Sequence, residues 1–211
     1  MSEYSLSYTA PVSSKHQRAR PLPPAERQEA IVEAIIPLLL DKGSAVTSRE
    51  MAKAAGVAEG TIFSVFPDKP SVIKQALETT MDPAPVCAAL TDISGSASME
   101  AQLEAAATIL LERSERVAAL MGILRSAHQT SSKRHPGIPR FVHESNAATL
   151  AGLEELFERH TDRLRVPPER AAIAFRGLIF ANAHPMVGPH EKTTPQEIVD
   201  LLLRGIAEAP T

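Results

Sequence analysis

Apolar positions recur at helical spacing along almost the whole chain. Ile31, Ala34, Ile35, Leu38 and Leu39 fall at i, i+3, i+4, i+7 and i+8, one face of a helix that follows Pro23 and Pro24 and is placed to end at Gly43. Pro37 lies inside it, where a missing N–H and a ring clash predict a kink costing about 3 kcal/mol. Thr47-Ser48-Arg49-Glu50 has the form of a capping box, in which the Thr47 hydroxyl covers the Glu50 N–H and the Glu50 side chain reaches back. The second helix it opens buries Met51, Ala52 and Ala55. Gly56 supplies a left-handed or tight turn, and Val57 anchors that turn in the core. A third helix spans about 58–66, with Ile62 and Phe66 inward and Glu59, Gly60, Thr61, Phe63, Ser64 and Val65 on its other sides. Val72, Ile73, Ala76 and Leu77 give a fourth helix its apolar face.

The pattern continues beyond two interruptions. DPAPV (82–86) breaks the chain, leaving Cys87 in a loop, and DISGSAS (92–98) forms another loop. Leu103, Ala106, Ala107 and Leu110, then Val117, Leu120, Met121 and Leu124, predict one long bent helix or two short ones. After a loop at 131–139, a helix over about 139–160 turns Phe141, Leu150, Leu153 and Phe157 inward. Pro167 and Pro168 open the next helix, Glu169 suits its positive start, and Pro185 closes it. Ala171, Ala172, Ala174, Gly177 and Ala181 on this helix let another helix approach closely. Thr194-Pro195-Gln196-Glu197 is a second capping box, followed by a stripe of Ile198, Leu201, Leu202 and Ile206. Alanine and leucine dominate and β-branched runs are few, so the fold class is all-α.

Composition narrows the function. The 211 residues, 44% of them apolar, suffice for one large domain or a small and a medium one. No run of about 18 apolar residues predicts a membrane span, and the N-terminus has no apolar segment of the kind a secretory signal needs. Cys87 is the single cysteine, which rules out an intrachain disulfide and fits a reducing cytoplasm. The net charge of −3 does not advertise a nucleic-acid binder. Residues 1–81 nevertheless carry nine basic and nine acidic side chains against 13 and 16 in 82–211, so the acidic surplus is C-terminal. Lys15, Arg18 and Arg20 lie in a flexible arm over 1–22, either a solvated tail or a strand of charge that reaches DNA phosphates or the minor groove.

Two short helices joined by a glycine turn are an ordinary helical hairpin or a helix-turn-helix, whose second helix fits the DNA major groove. On that second helix Gly60 would let backbone approach a phosphate, Thr61 and Ser64 offer hydroxyls, and Phe63 offers a ring to a sugar or a thymine methyl. Residues 27–73 resemble the DNA-binding domain of the TetR (tetracycline-repressor) family of bacterial regulators. The resemblance runs through Arg27, Ile31, Ala34, Gly43, Thr47, Met51-Ala52, Ala55-Gly56-Val57, Gly60-Thr61-Ile62-Phe63, Phe66 and Lys69. The chain departs from the family's pattern at Ala58, where a capping Ser or Thr is usual, at Phe63, where Tyr is usual, and at Val65, often polar or His.

The resemblance implies a helix-turn-helix DNA-binding domain at 23–81 and a helical ligand-binding and dimerisation domain at 82–211. It implies operator contacts from Thr47, Ser48, Arg49, Glu59, Gly60, Thr61, Phe63, Ser64 and Lys69. The helices at about 167–185 and 195–207 would pair with their copies in a homodimer; the other reading is that they only close the monomer core. A small-molecule effector pocket is implied in the body, with Met121, Leu124, Arg125, His128, Phe141, Phe175 and His184 as candidates and an apolar or aromatic effector as the expectation. The implied role is a regulator, most often a repressor, acting on double-stranded DNA in the cytoplasm at the nucleoid. The alternative is a helix-turn-helix protein that binds DNA constitutively.

Catalytic chemistry finds little footing. No flanking motif supports Cys87 as a nucleophile, and His135, His143, His184 and His190 show no metal-ligand spacing on one helix. Neither GxxxxGK[ST] nor GxGxxG occurs. The expectation is a protein that is not an enzyme and needs no metal or cofactor.

Overall fold

Capping chemistry places most of the helix ends. The computed structural model describes residues 23–93, 95, 97–128, 139–184 and 192–205, apart from the side chains of Pro24 and His128. The expectations for 1–22, 131–138, Pro185, His190 and Ile206 lie outside these residues. Helix α1 (Pro24–Lys42) starts with proline in its first turn and ends, as expected, at Gly43, which takes a positive φ of 60°. It runs through Pro37 unbroken. Pro37 and Glu33, the residue whose carbonyl it cannot pair, are both exposed, so that carbonyl is within reach of water.

A 3-10 turn (Gly43–Ala45) leads to α2 (Ser48–Ala54). The capping box is present: Glu50 N–H donates to Thr47 Oγ1 at 3.3 Å and Thr47 N–H to Glu50 Oε2 at 2.9 Å. Gly56, at φ 65°, turns the chain into α3 (Glu59–Val65). Asp68 then caps α4 (Lys69–Thr80) by accepting from Ser71 N–H at 2.8 Å.

The expected break at 82–86 is instead the start of a helix, α5 (Pro83–Thr91). Both prolines lie in its first turn, where no backbone N–H is needed, and Asp82 caps it by accepting from Ala84 N–H at 3.0 Å. Cys87 is therefore helical and half-buried against α7 rather than in a loop, its Sγ 3.5 Å from the Ala148 carbonyl. Helix α6 (Met99–His128) is one continuous element of 30 residues. Then come α7 (Arg140–Glu158), a 3-10 turn (Thr161–Arg163), α8 (Pro168–Ala183) and α9 (Pro195–Arg204), the last opened by the second capping box. No strand occurs among the described residues, and none of their helices is long and apolar enough to cross a membrane.

Two apolar cores form. The first joins Ile31, Ile35, Leu39, Met51, Ile62, Phe66, Val72, Ile73 and Leu77 of the first four helices, and takes in Leu120 and Ile123 of α6. The second joins Leu90, Leu103, Leu110, Leu153, Phe157, Phe175, Ile179 and Ile198, with Phe157 and Phe175 edge-to-face at 5.9 Å. Helix α6 thus belongs to both. The expected stripe on α9 is rotated: Ile198 and Val199 are buried, whereas Leu201 is 39% exposed. Helix α9 packs on α6 and α8, and these cover only one of its sides.

Candidate functional site

The outer side of α3 is open. Ile62 and Phe66 seal the helix into the first core, while Glu59, Gly60 and Ser64 are exposed and Phe63 is 51% exposed. Thr61 is half-buried, and Ser64 Oγ donates to the Thr61 carbonyl at 2.8 Å. Ala58 gives α3 no side-chain cap.

Among the other sequence-predicted contacts, Arg49 is exposed at the start of α2 and Ser48 is half-buried. The Thr47 hydroxyl is occupied by its capping box. Glu50 of that box also receives Lys42 Nζ at 2.7 Å. The Lys42 bond first, and the Thr47 bonds after it, hold the Glu50 carboxyl down at about 2. Lys69 does not project outward. Its ammonium donates to the Ser44 carbonyl at 2.6 Å and also to that of Val46, tying the start of α4 to the segment that leads into α2.

A cavity of about 270 Å³ opens in the body between the end of α4 and helices α6, α7 and α8. Of the expected ligand contacts, Met121, Arg125 and His184 line it. Leu124 and Phe141 pack instead against the first core, and Phe175 is fully buried in the second. The His128 side chain lies outside the described residues. Phe180 and His184 stand together at the cavity, their rings 5.1 Å apart.

The cavity also holds polar groups that the sequence reading passed over. Arg113, on α6, points inward and is satisfied by neutral oxygens. Its Nη2 donates to Ser145 Oγ at 2.7 Å, the Met81 carbonyl at 2.9 Å and the Asp82 carbonyl at 3.3 Å. Its Nη1 reaches Thr149 Oγ1 at 3.1 Å, and its Nε the Thr80 carbonyl at 3.4 Å. Ser145 and Thr149 are themselves buried, one turn apart on α7. Arg176, on α8, donates to Asn146 Oδ1 at 2.5 Å. Burial lowers the proton affinity of both guanidiniums from the ordinary arginine value. With Arg125, three arginines line the cavity, and no lining residue is an Asp or Glu. A sequence signal for Arg113 did exist: it continues the inward stripe of Ala106, Leu110 and Val117. No group of three or more His, Cys, Asp or Glu side chains among the described residues is arranged to hold a metal.

No protein-family model and no curated protein matches the chain. Solved structures do. A candidate TetR-family transcriptional regulator from Mesorhizobium loti MAFF303099 superposes with a TM-score of 0.61 at 18% identity, over 87% of this chain and 96% of its own. A transcriptional regulator from Rhodococcus sp. Rha1 gives 0.56 at 22% identity, over 84% and 92%. The TetR-family regulator PfmR from Thermus thermophilus gives 0.53 at 17% identity, over 84% and 99%. The chain therefore has the fold of the TetR-family transcriptional regulators: an all-helical protein with an N-terminal helix-turn-helix.

Proposed function

We propose that the chain is a ligand-responsive transcriptional regulator, a repressor that binds a palindromic operator as a homodimer and is released by a small-molecule effector in the body cavity. The observation that carries this is α3. Its Ile62, and Phe66 just after it, are sealed in the core, while Glu59, Gly60, Phe63 and Ser64 stand outward beyond a glycine turn. One seven-residue helix reads few bases. Two copies set about 34–36 Å apart reach successive major grooves, so dimerisation is part of the reading. An unpaired surface suited to it exists on α8. Ile173 and Phe180 are 53% and 57% exposed, Ala174 and Gly177 lie on the same side, and a Cβ built at Gly177 meets nothing within 4 Å. Leu201 of α9 adds to it. The Lys15, Arg18 and Arg20 arm would add phosphate contacts, and the place of action would be the nucleoid in the cytoplasm.

Fluorescence anisotropy at a stated salt concentration tests this, using duplexes from the DNA flanking the gene, duplexes selected from a random library, and an unrelated control. The expected result is sequence-dependent binding of two protomers per site. Thr61→Ala and Phe63→Ala should each weaken it by about 1 kcal/mol, since each removes one groove contact. Binding no tighter than to the control, for flanking and selected duplexes alike, would overturn the proposal. Tight binding that no cavity ligand relieves would favour the constitutive alternative.

A further inference from the structure

We propose that the effector is an apolar acid whose single anionic head is held by Arg113 and Arg176, and that its capture of Arg113 releases the end of α4. This rests on the ligand-responsive reading above and names the ligand's chemistry. The cavity has apolar walls from Met81, Leu110, Val117 and Ile179, yet two half-buried guanidiniums sit among them. A charge taken out of water needs an opposite charge or a full set of hydrogen bonds. Neither arginine has a carboxylate within ion-pairing distance among the described residues. The nearby Asp82 carboxylate is used to cap α5. The neighbouring acids Glu112, Glu115 and Glu144 are paired with Arg116, Lys192 and Arg140. An anion would replace neutral acceptors with a charged, bidentate one. A cation would meet three arginines, and a neutral ligand would leave them as they are. The volume, about 270 Å³, falls near the low end of small-molecule sites, which calls for a compact apolar body.

The second half of the proposal follows from what Arg113 holds. The carbonyls of Thr80 and Met81 are orphan acceptors at the end of α4, that of Asp82 follows them in the link to α5, and Arg113 bridges all three to α6. At its other end α4 is tied by Lys69 to the segment before α2, and its inner face lies in the core that supports α3. An anion that draws the guanidinium toward Arg176 must take donors from those carbonyls. The ligand thereby prefers the state in which α4 is untethered, and such a difference in affinity is what a switch requires.

Calorimetry on the free protein tests the head, with octanoate, octyl phosphate, octan-1-ol and octylamine as probes. Octanoate or octyl phosphate should bind about tenfold or more tightly than the alcohol and the amine, and the preference between the two acids tells a carboxylate head from a phosphate one. Arg176→Gln should erase that advantage while its thermal melting stays close to that of the native chain. In the DNA assay the preferred acid should weaken operator binding by the native protein and leave Arg113→Gln unresponsive. Equal binding of the alcohol or the amine, binding of none of the four probes, or an undiminished acid preference in Arg176→Gln overturns the anion site. Acid binding that leaves operator affinity unchanged overturns the Arg113 coupling. Acid-selective binding by a chain that finds no operator would instead leave the site standing and sink the regulator reading.

Discussion

Leu120 tests whether the first four helices and the body share a core. It belongs to α6, a helix of the body, yet it is completely buried among residues of α1 and α4. Leu120→Ala removes three carbons from a site walled by two other helices, which limits how far the cavity can collapse. Buried Leu→Ala changes cost about 2–5 kcal/mol, and a fully enclosed site belongs near the middle, about 3 kcal/mol. For a chain of about 200 residues, each kcal/mol lowers Tm by about 2–4 °C, so a fall of about 6–12 °C is expected. Val166→Ala is the control: Val166 is 47% exposed, and its loss should stay within about 0.5 kcal/mol. Urea denaturation gives the energy and hydrogen exchange gives the place. Protection should drop at Ile35 and Leu39 in α1 and at Ile73 in α4, although the mutation lies in α6. A Tm loss under about 2 °C, or lost protection confined to α6, α7 and α8, would refute the shared core.

Lys69→Met should destabilise the head by about 1–2 kcal/mol, because it deletes charge-assisted bonds to two carbonyls; an unchanged urea midpoint would contradict that role. Gly177→Glu should convert a dimer to a monomer in sedimentation, with little change in helicity, since the added side chain points into open space; a persistent dimer would exclude the α8 surface. Acid stability should depend on Glu50 and Glu100, both held at about 2, the first chiefly by Lys42 and the second chiefly by Arg163. Because both values lie below the ordinary 4.5, the native state binds fewer protons; the stabilisation is complete above that pH and drains as pH falls toward 2. A Glu50→Gln, Glu100→Gln chain should therefore lose Tm less steeply across that window, and an identical slope would show that neither pair acts through its charge.

What the sequence disclosed and what it hid follow one physical rule. Residues 24–80 were legible because each helix there buries one side: the stripe of Ile31, Ile35 and Leu39, the Thr47–Glu50 box and the Gly56 turn are all local patterns. Helix α5 was hidden because Pro83 and Pro85 read as breakers, and a proline in a first turn looks the same in sequence as one that ends a helix. The Asp82 cap was the available clue. Cavity and core are harder to separate, since both draw on apolar residues at helical spacing. Met121 lines the cavity while Leu124, three residues on, faces the first core, and only the convergence of α4, α7 and α8 on α6 decides between them. Charge breaks that ambiguity. A guanidinium on an otherwise apolar stripe must find its own hydrogen-bond partners, and Arg113, between Leu110 and Val117, finds them at the cavity. At Lys69 the same search for partners ends on the protein's own backbone, at the carbonyls of Ser44 and Val46. The interior leaves a charge few partners, and Arg113 finds its own in the carbonyls of Thr80, Met81 and Asp82 and the hydroxyls of Ser145 and Thr149, which tie the end of α4 and the face of α7 to α6.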